Sequence, residues 1–315
     1  MKILISALSK DIQERLRVAS PEAEFVVAGN LEEAISLADD VEGCFDYCSD
    51  ELLEAAPKLR WIQVRSAGVE KLPFENLKRH GITLTNAQEI YGTHLADHNM
   101  ALILAFSRQL PFLLRAQQKG VWESRKNYPP GELADETILV VGLGGTGLET
   151  ARRAAGFGMR VLATRRHMDR PKPDFVDELY EPGKLHELLP GADWVAVCVP
   201  VTKDTRDLFH DAEFDLMKPT SYIVCVTRGG IINTEALLRA LDEEKINGAG
   251  LDVTDPEPLP PGHPLWTREN VIITPHASGH SPHSGQRMMD LFCENLIRFT
   301  KDRPLKHVVD LDLEY

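Results

Sequence analysis

Apolar and polar positions alternate in blocks over the first ninety residues. Apolar runs at 3–5, 25–28, 59–64 and 82–85 predict buried strands, and helical spacing fills 11–19 and 31–38, where Asn30 is placed to cap the second helix. Strands alternating with helices imply βαβ units and a parallel sheet. From 93 to about 119 the pattern is purely helical: Ala96, Met100, Ile103, Leu104, Leu110 and Leu114 share one spacing, and Pro111 predicts a kink or break. A loop at 126–131 follows. Strand-like runs then recur at 138–141, 160–163, 194–199, 222–226, 249–253 and 271–274, with helical patterns between most of them. Six strands with crossovers predict a complete doubly wound dinucleotide fold. A last helical run, 286–300, predicts that the chain crosses back to its first domain.

Composition narrows the class. The chain has 315 residues, room for two domains, and a net charge of −13. An acidic chain lacks the basic face that nucleic acid or an anionic membrane requires. No apolar run is long enough to span a bilayer, and Met-Lys-Ile-Leu-Ile-Ser is too short and too soon charged for a signal peptide. Five scattered cysteines fit a reducing cytoplasm better than a disulfide framework.

The first chemical signal is Val140-Val141-Gly142-Leu143-Gly144-Gly145-Thr146-Gly147, a G-x-G-x-x-G directly after a strand and opening a helix. Gly142 allows the tight turn, Gly144 lets backbone approach a pyrophosphate, and Gly147 lets helix and strand pack closely; Gly145 and Thr146 lie in the same phosphate-facing turn. Thr164-Arg165-Arg166 ends the next strand, twenty-three residues after Gly142, where an NAD-binding fold usually carries an acidic residue for the ribose. Two guanidiniums and a hydroxyl suit a 2′-phosphate, so NADP is expected over NAD.

Three polar strings follow later strands: Val226-Thr227-Arg228-Gly229-Gly230, Asp252 through Pro258, and Thr274-Pro275-His276-Ala277-Ser278-Gly279. With the glycine loop, Val199-Pro200-Val201-Thr202 and Thr205, and His263-Pro264-Leu265-Trp266, they span about 135–280, and in that order the chain resembles the D-isomer-specific 2-hydroxyacid dehydrogenases of the glyoxylate/hydroxypyruvate reductase kind. The N-terminal third resembles them in architecture and in Ser66-Ala67-Gly68-Val69. The resemblance implies two doubly wound domains: a Rossmann NAD(P)-binding domain, 95–286, inserted into a flavodoxin-like substrate domain, 1–94 plus 287–315, with the active site between them. It implies Arg228, Glu257 and His276 as the catalytic set, and a homodimer built on the helical segment 96–120. Pro200, Thr205, Val226, Thr227, Arg228, Asp252, His276 and Gly279 join the cofactor contacts. Ala67, Gly68 and Val69, with Arg228 and His276, meet the substrate.

Residue chemistry supports those roles. Hydride delivery to a 2-keto carbon leaves an alkoxide that needs a proton, and His276 can donate it. Glu257 can orient the imidazole and stabilise its charge. Arg228 can hold the carboxylate and polarise the keto oxygen. Asp252 has two readings: by resemblance it faces the nicotinamide carboxamide, and by position it caps a strand-to-loop turn. Single residues of these types are commonly plain surface or loop residues; it is the ordered trio that points to catalysis.

Other candidates carry less. His276, His280 and His283 share no helix face and lack a completing ligand, so no metal site is expected. His94 and His98 lack the glutamate of a zinc-protease helix, and one of them is expected as a polar position near the cleft. Cys44 and Cys48 lie in a stretch without assignable pattern; Cys198 and Cys225 read as small core residues, and Trp122 and Trp266 as packing residues. Arg287 could reach an incoming carboxylate, or be an ordinary surface arginine of a helix.

Alternative functions are an NAD(P)-sensing binder of the corepressor type, which would need an interaction segment not visible here, and a phosphoglycerate-, phosphite- or formate-type dehydrogenase. By resemblance, formate enzymes replace the glutamate with glutamine, and phosphoglycerate enzymes often carry a further C-terminal domain for which 315 residues leave no room.

Overall fold

The computed structural model describes residues 1–315. The chain divides into two compact units, Met1–Ile90 with Ser281–Tyr315, and Tyr91–His280. The chain changes unit just before a helix starts in each case, so that each helix packs its whole apolar face in one place.

The first unit begins with β1 (Lys2–Ser6), α1 (Lys10–Ala19), β2 (Glu24–Ala28), α2 (Leu31–Ser36), β3 (Gly43–Phe45), α3 (Asp50–Ala55), β4 (Trp61–Gln63), α4 (Phe74–Arg79) and β5 (Thr83–Thr85). Asn30 caps α2 as expected, its side chain accepting from the Glu33 amide at 2.9 Å. The strands form one parallel sheet in the order β2-β1-β3-β4-β5, the flavodoxin-like order. β3 went unread because it is only three residues long, buried throughout, and shows no period. Cys44 lies in it, and burial pushes its thiol up to about 12.

In the second unit α5 (Gly92–Ser107) and α6 (Leu110–Gln118) replace the single long helix. The break falls at Gln109, which is left-handed at φ 56°, with Pro111 in the first turn of α6. There follow β6 (Thr137–Val141), α7 (Gly145–Gly156), β7 (Arg160–Thr164), β8 (Glu178–Tyr180), α8 (Leu185–Leu188), β9 (Trp194–Val197), α9 (Asp211–Leu216), β10 (Tyr222–Cys225), α10 (Thr234–Asp242), β11 (Gly248–Leu251) and β12 (Val271–Ile273). The sheet is parallel and has seven strands, not six, in the order β12-β11-β10-β9-β6-β7-β8. The extra strand is β8, an edge strand whose three residues are all only half-buried, so it lacks the apolar run that marks its neighbours.

Alternation along the strands feeds two cores. Leu139 and Val141 join Val195, Val197, Ile223 and Leu237 on one face. Ile138 and Val140 join Ala196, Val224, Leu102 and Ile103 on the other, beneath α5 and α7. Close approach of α5 needs small residues: a Cβ on Gly250 would sit 3.1 Å from Leu102 Cβ, and one on Gly92 only 2.8 Å from the Gly145 carbonyl. The last helix is α11 (Ser284–Thr300), which belongs to the first unit and packs on α1. Its Phe292 stacks on Phe45 with ring centroids 4.1 Å apart.

Candidate active site

All strands of the second unit are parallel, so the loops after their C-terminal ends gather along one edge of the sheet. The glycine loop leaves β6, beside the point where strand order reverses. Gly142 has φ 96°, and a Cβ there would meet Val199 Cγ1 at 2.6 Å; one on Gly147 would meet the Gly142 carbonyl at 1.9 Å. Packing therefore demands both. Gly144 is different: nothing lies within 4 Å of its Cβ position, and it caps α7 with no side chain. The protein gains nothing from that glycine, whereas a ligand approaching the backbone does. The first-turn amides of Gly145, Thr146 and Gly147 have no partner within the helix. This cradle fits the pyrophosphate of a dinucleotide.

Thr164 is 2% exposed, and its hydroxyl accepts from the Gly142 amide at 3.1 Å, which ties the β7 end to the glycine turn. Arg165 is half-buried, its guanidinium donating to the carbonyls of Arg170 and Pro171; Arg166 is exposed and pairs with Asp204 at 3.0 Å. The Pro200–Thr205 loop closes on itself: Thr205 Oγ1 donates to the Pro200 carbonyl at 2.6 Å and accepts from the Thr202 amide.

After β10, Arg228 Nη1 donates to the Thr227 carbonyl at 2.9 Å. Gly229 follows because a Cβ there would lie 1.9 Å from the Thr254 carbonyl, in the loop after β11. After β12, His276 Nδ1 and Glu257 Oε1 are 2.6 Å apart, each side chain 41% exposed. Ser278 Oγ donates to the Val226 carbonyl at 3.4 Å and so joins the histidine loop to the arginine loop.

Asp252 organises the histidine loop. It is 1% exposed. Its carboxylate accepts from Thr274 Oγ1 at 2.5 Å and from the amides of Ala277 and Ser278 at 2.8 and 2.9 Å. Burial alone would raise its pKa, but the bonds from Ser278, Thr274 and Ala277 outweigh burial and hold it below the ordinary value. Its backbone carbonyl also accepts the His276 amide at 2.8 Å. His276 itself is left-handed at φ 50°. The turn-capping reading of Asp252 is thus the one its contacts display.

Both His94 and His98, of which one was expected as a polar position near the cleft, flank this loop. His98 Nε2 lies 2.9 Å from Thr274 Oγ1, and His94 Nε2 lies 3.1 Å from the Gly279 carbonyl. Their four-residue spacing was the available signal, since it puts both on one face of α5. The packing expected of Trp122 is not seen within the chain, where it is 99% exposed; Trp266 is 49% exposed, its Nε1 donating to the Pro260 carbonyl at 3.0 Å. Cys198 and Cys225 are buried, and burial pushes the Cys198 thiol up to about 12. In the first unit, Ala67, Gly68 and Val69 follow β4, where Asn86 Nδ2 donates to the Ala67 carbonyl at 2.7 Å. Arg287 sits in the first turn of α11 with its Nη1 buried and unbonded.

Residues 100–278 match the family model described as D-isomer specific 2-hydroxyacid dehydrogenase, NAD binding domain. The chain is 36% identical over 258 residues to a glyoxylate reductase of Korarchaeum cryptofilum, covering 80% of this chain and 76% of that protein. Its fold resembles an NADPH-dependent glyoxylate/hydroxypyruvate reductase of Sinorhizobium meliloti, solved with NADP and sulfate, at TM-score 0.81 and 25% identity over 100% and 99% of the two chains. It also resembles a D-isomer specific 2-hydroxyacid dehydrogenase of Xanthobacter autotrophicus, solved with NADPH and MES, at TM-score 0.83 and 25% identity over 99% of each. The chain belongs to the D-isomer-specific 2-hydroxyacid dehydrogenase family. It is an NAD(P)-dependent oxidoreductase acting on a CH–OH group.

Proposed function

We propose that this chain reduces small 2-keto acids to D-2-hydroxy acids with NADPH in preference to NADH. The observation that carries the reading is the His276–Glu257 pair, 2.6 Å apart, at the same sheet edge as the glycine loop. Relatives bearing the glyoxylate reductase name support a small substrate.

When bound, the reduced nicotinamide supplies the hydride that the carbonyl carbon receives. His276 donates a proton from Nε2 to the carbonyl oxygen as the C=O π bond breaks, which completes the alcohol. Glu257 accepts from Nδ1, keeps Nε2 outward and stabilises the ring while it is charged. Arg228 holds the carboxylate and polarises the keto oxygen. The amides of Ala67, Gly68 and Val69 are assigned to the same carboxylate on the family resemblance. Gly144, Gly145, Thr146 and Gly147 receive the pyrophosphate, with Pro200, Thr205 and Thr227 along its edge. Arg165 and Arg166 receive the 2′-phosphate. The exposed Arg166–Asp204 pair is worth about 0–1 kcal/mol, so exchanging Asp204 for a phosphate costs little.

Loss of NADPH absorbance with glyoxylate, hydroxypyruvate, pyruvate and phenylpyruvate tests the reading. NADPH is expected to outperform NADH, and hydroxypyruvate to give the D product. No turnover with any keto acid, or an L product, overturns it. Removing both arginines is expected to raise KM for NADPH far more than for NADH.

A homodimer is the proposed assembly. Leu110, Leu114, Val121 and the fully exposed Trp122 give α6 and its following loop an apolar surface that a second copy could cover. Sedimentation should show a dimer that Trp122→Ser weakens. Five free thiols support a reducing cytoplasm as its compartment, and no helix is long and apolar enough to cross a membrane.

A further inference from the structure

We infer that His98, acting through Thr274 and Asp252, is a positioning residue for His276. The inference rests on the reductase reading only for its kinetic test.

The Asp252 carboxylate, held in its ionised form, accepts hydrogen bonds and donates none. Thr274 has one hydroxyl proton, and at 2.5 Å from Asp252 Oδ1 it must donate that proton there. Its oxygen can then only accept from the third partner, His98 Nε2 at 2.9 Å. His98 therefore carries a proton on Nε2. His94 meets the Gly279 carbonyl, an acceptor, so its Nε2 also bears a proton.

These two donors stand one helical turn apart on α5 and meet the histidine loop at Thr274 and Gly279, on either side of His276. The loop needs such a grip. His276 is held at φ 50°, an uncommon region for a residue with a Cβ, so its ring keeps its place beside Glu257 only if the loop is anchored on both sides. Its amide donates to the carbonyls of Asp252 and Thr274 at 2.8 and 3.0 Å, the two residues whose side chains His98 ties together. Just before these histidines, at its first residue, α5 lies against the glycine turn through Gly92 and Gly145. One rigid rod thus abuts the cofactor cradle and fixes the proton donor.

Thr274→Val removes the hydroxyl at constant shape. It is expected to lower kcat about tenfold while the Kd of NADPH, read by fluorescence quenching, stays within about twofold; Thr274→Ser should restore kcat to within about threefold. His98→Leu should lower kcat about fivefold, and His98→Gln, which keeps a donor, should recover most of it. A Thr274→Val kcat within about twofold of the parent, an equal loss in cofactor affinity, or failure of Thr274→Ser to restore turnover overturns the inference. The imidazole nitrogen-15 spectrum of the whole protein decides independently of turnover. A protonated Nε2 on His98 supports the relay and an unprotonated one overturns it, even if no keto acid is reduced and the reductase reading falls.

Discussion

Each unit contains a network of hydrogen-bonded polar side chains, and the two are built to opposite ends. In the first unit, Trp61 Nε1 donates to Thr85 Oγ1, Thr85 to Gln63 Oε1, and Asn295 Nδ2 to the same Gln63 oxygen, at 2.8, 2.8 and 2.9 Å. Asn295 also exchanges bonds with the Lys306 backbone. Every member is fully buried and neutral, and the network staples α11 to β4 and β5. In the second unit the network of His98, Thr274 and Asp252 has a charge at its centre and adjoins His276, whose amide donates to the Asp252 and Thr274 carbonyls and whose side chain is two-fifths exposed. A closed neutral network yields stability and nothing else. A charged one that opens onto solvent stores a geometry for chemistry, and does so with backbone strain that the fold must hold.

The largest expected effect separates chemistry from fold. His276→Ala should cut kcat by about two to four orders of magnitude with NADPH affinity and unfolding midpoint unchanged, as read by steady-state kinetics and urea titration. Near-normal turnover would remove the distinction. Asn295→Leu should do the reverse. It strands the Lys306 amide and breaks the link to Gln63, so stability should fall by about 2–3 kcal/mol while kcat of the folded protein stays within about twofold. A large fall in kcat at unchanged stability would show that the first network also serves catalysis. The smallest effect is a slope. Asp252 titrates lower in the folded chain than in the unfolded one, so its stabilisation is complete above about pH 4 and fades as the pH falls through its folded value. Urea midpoints of the parent should therefore decline more steeply on acidification than those of Asp252→Asn. Asn295→Leu should keep the parent slope, because its network holds no titrating group.

Much of this was legible in the chain. Apolar runs long enough to fill a central strand announced themselves, as at 138–141 and 160–163, and so did the glycine loop, whose spacing is dictated by close contacts at Gly142 and Gly147. β3 and β8 were not legible, since three residues carry no period and the sheet, not the segment, makes them strands. Trp122 finds no cover within its own chain, because an indole is buried only if something covers it, and composition cannot say what does.

The sequence by itself determined the alternation of strands and helices, the parallel sheets it implies and the residue types available for hydride chemistry, because periodicity and side-chain identity are local properties. The pairing of Glu257 with His276 and the capping role of Asp252 were among the readings the chain offered, and only the tertiary structure supplied their geometry and decided that both His94 and His98 bracket that loop from another helix. Those facts depend on distances between segments tens to hundreds of residues apart, which the packing of the sheet fixes and no local pattern encodes.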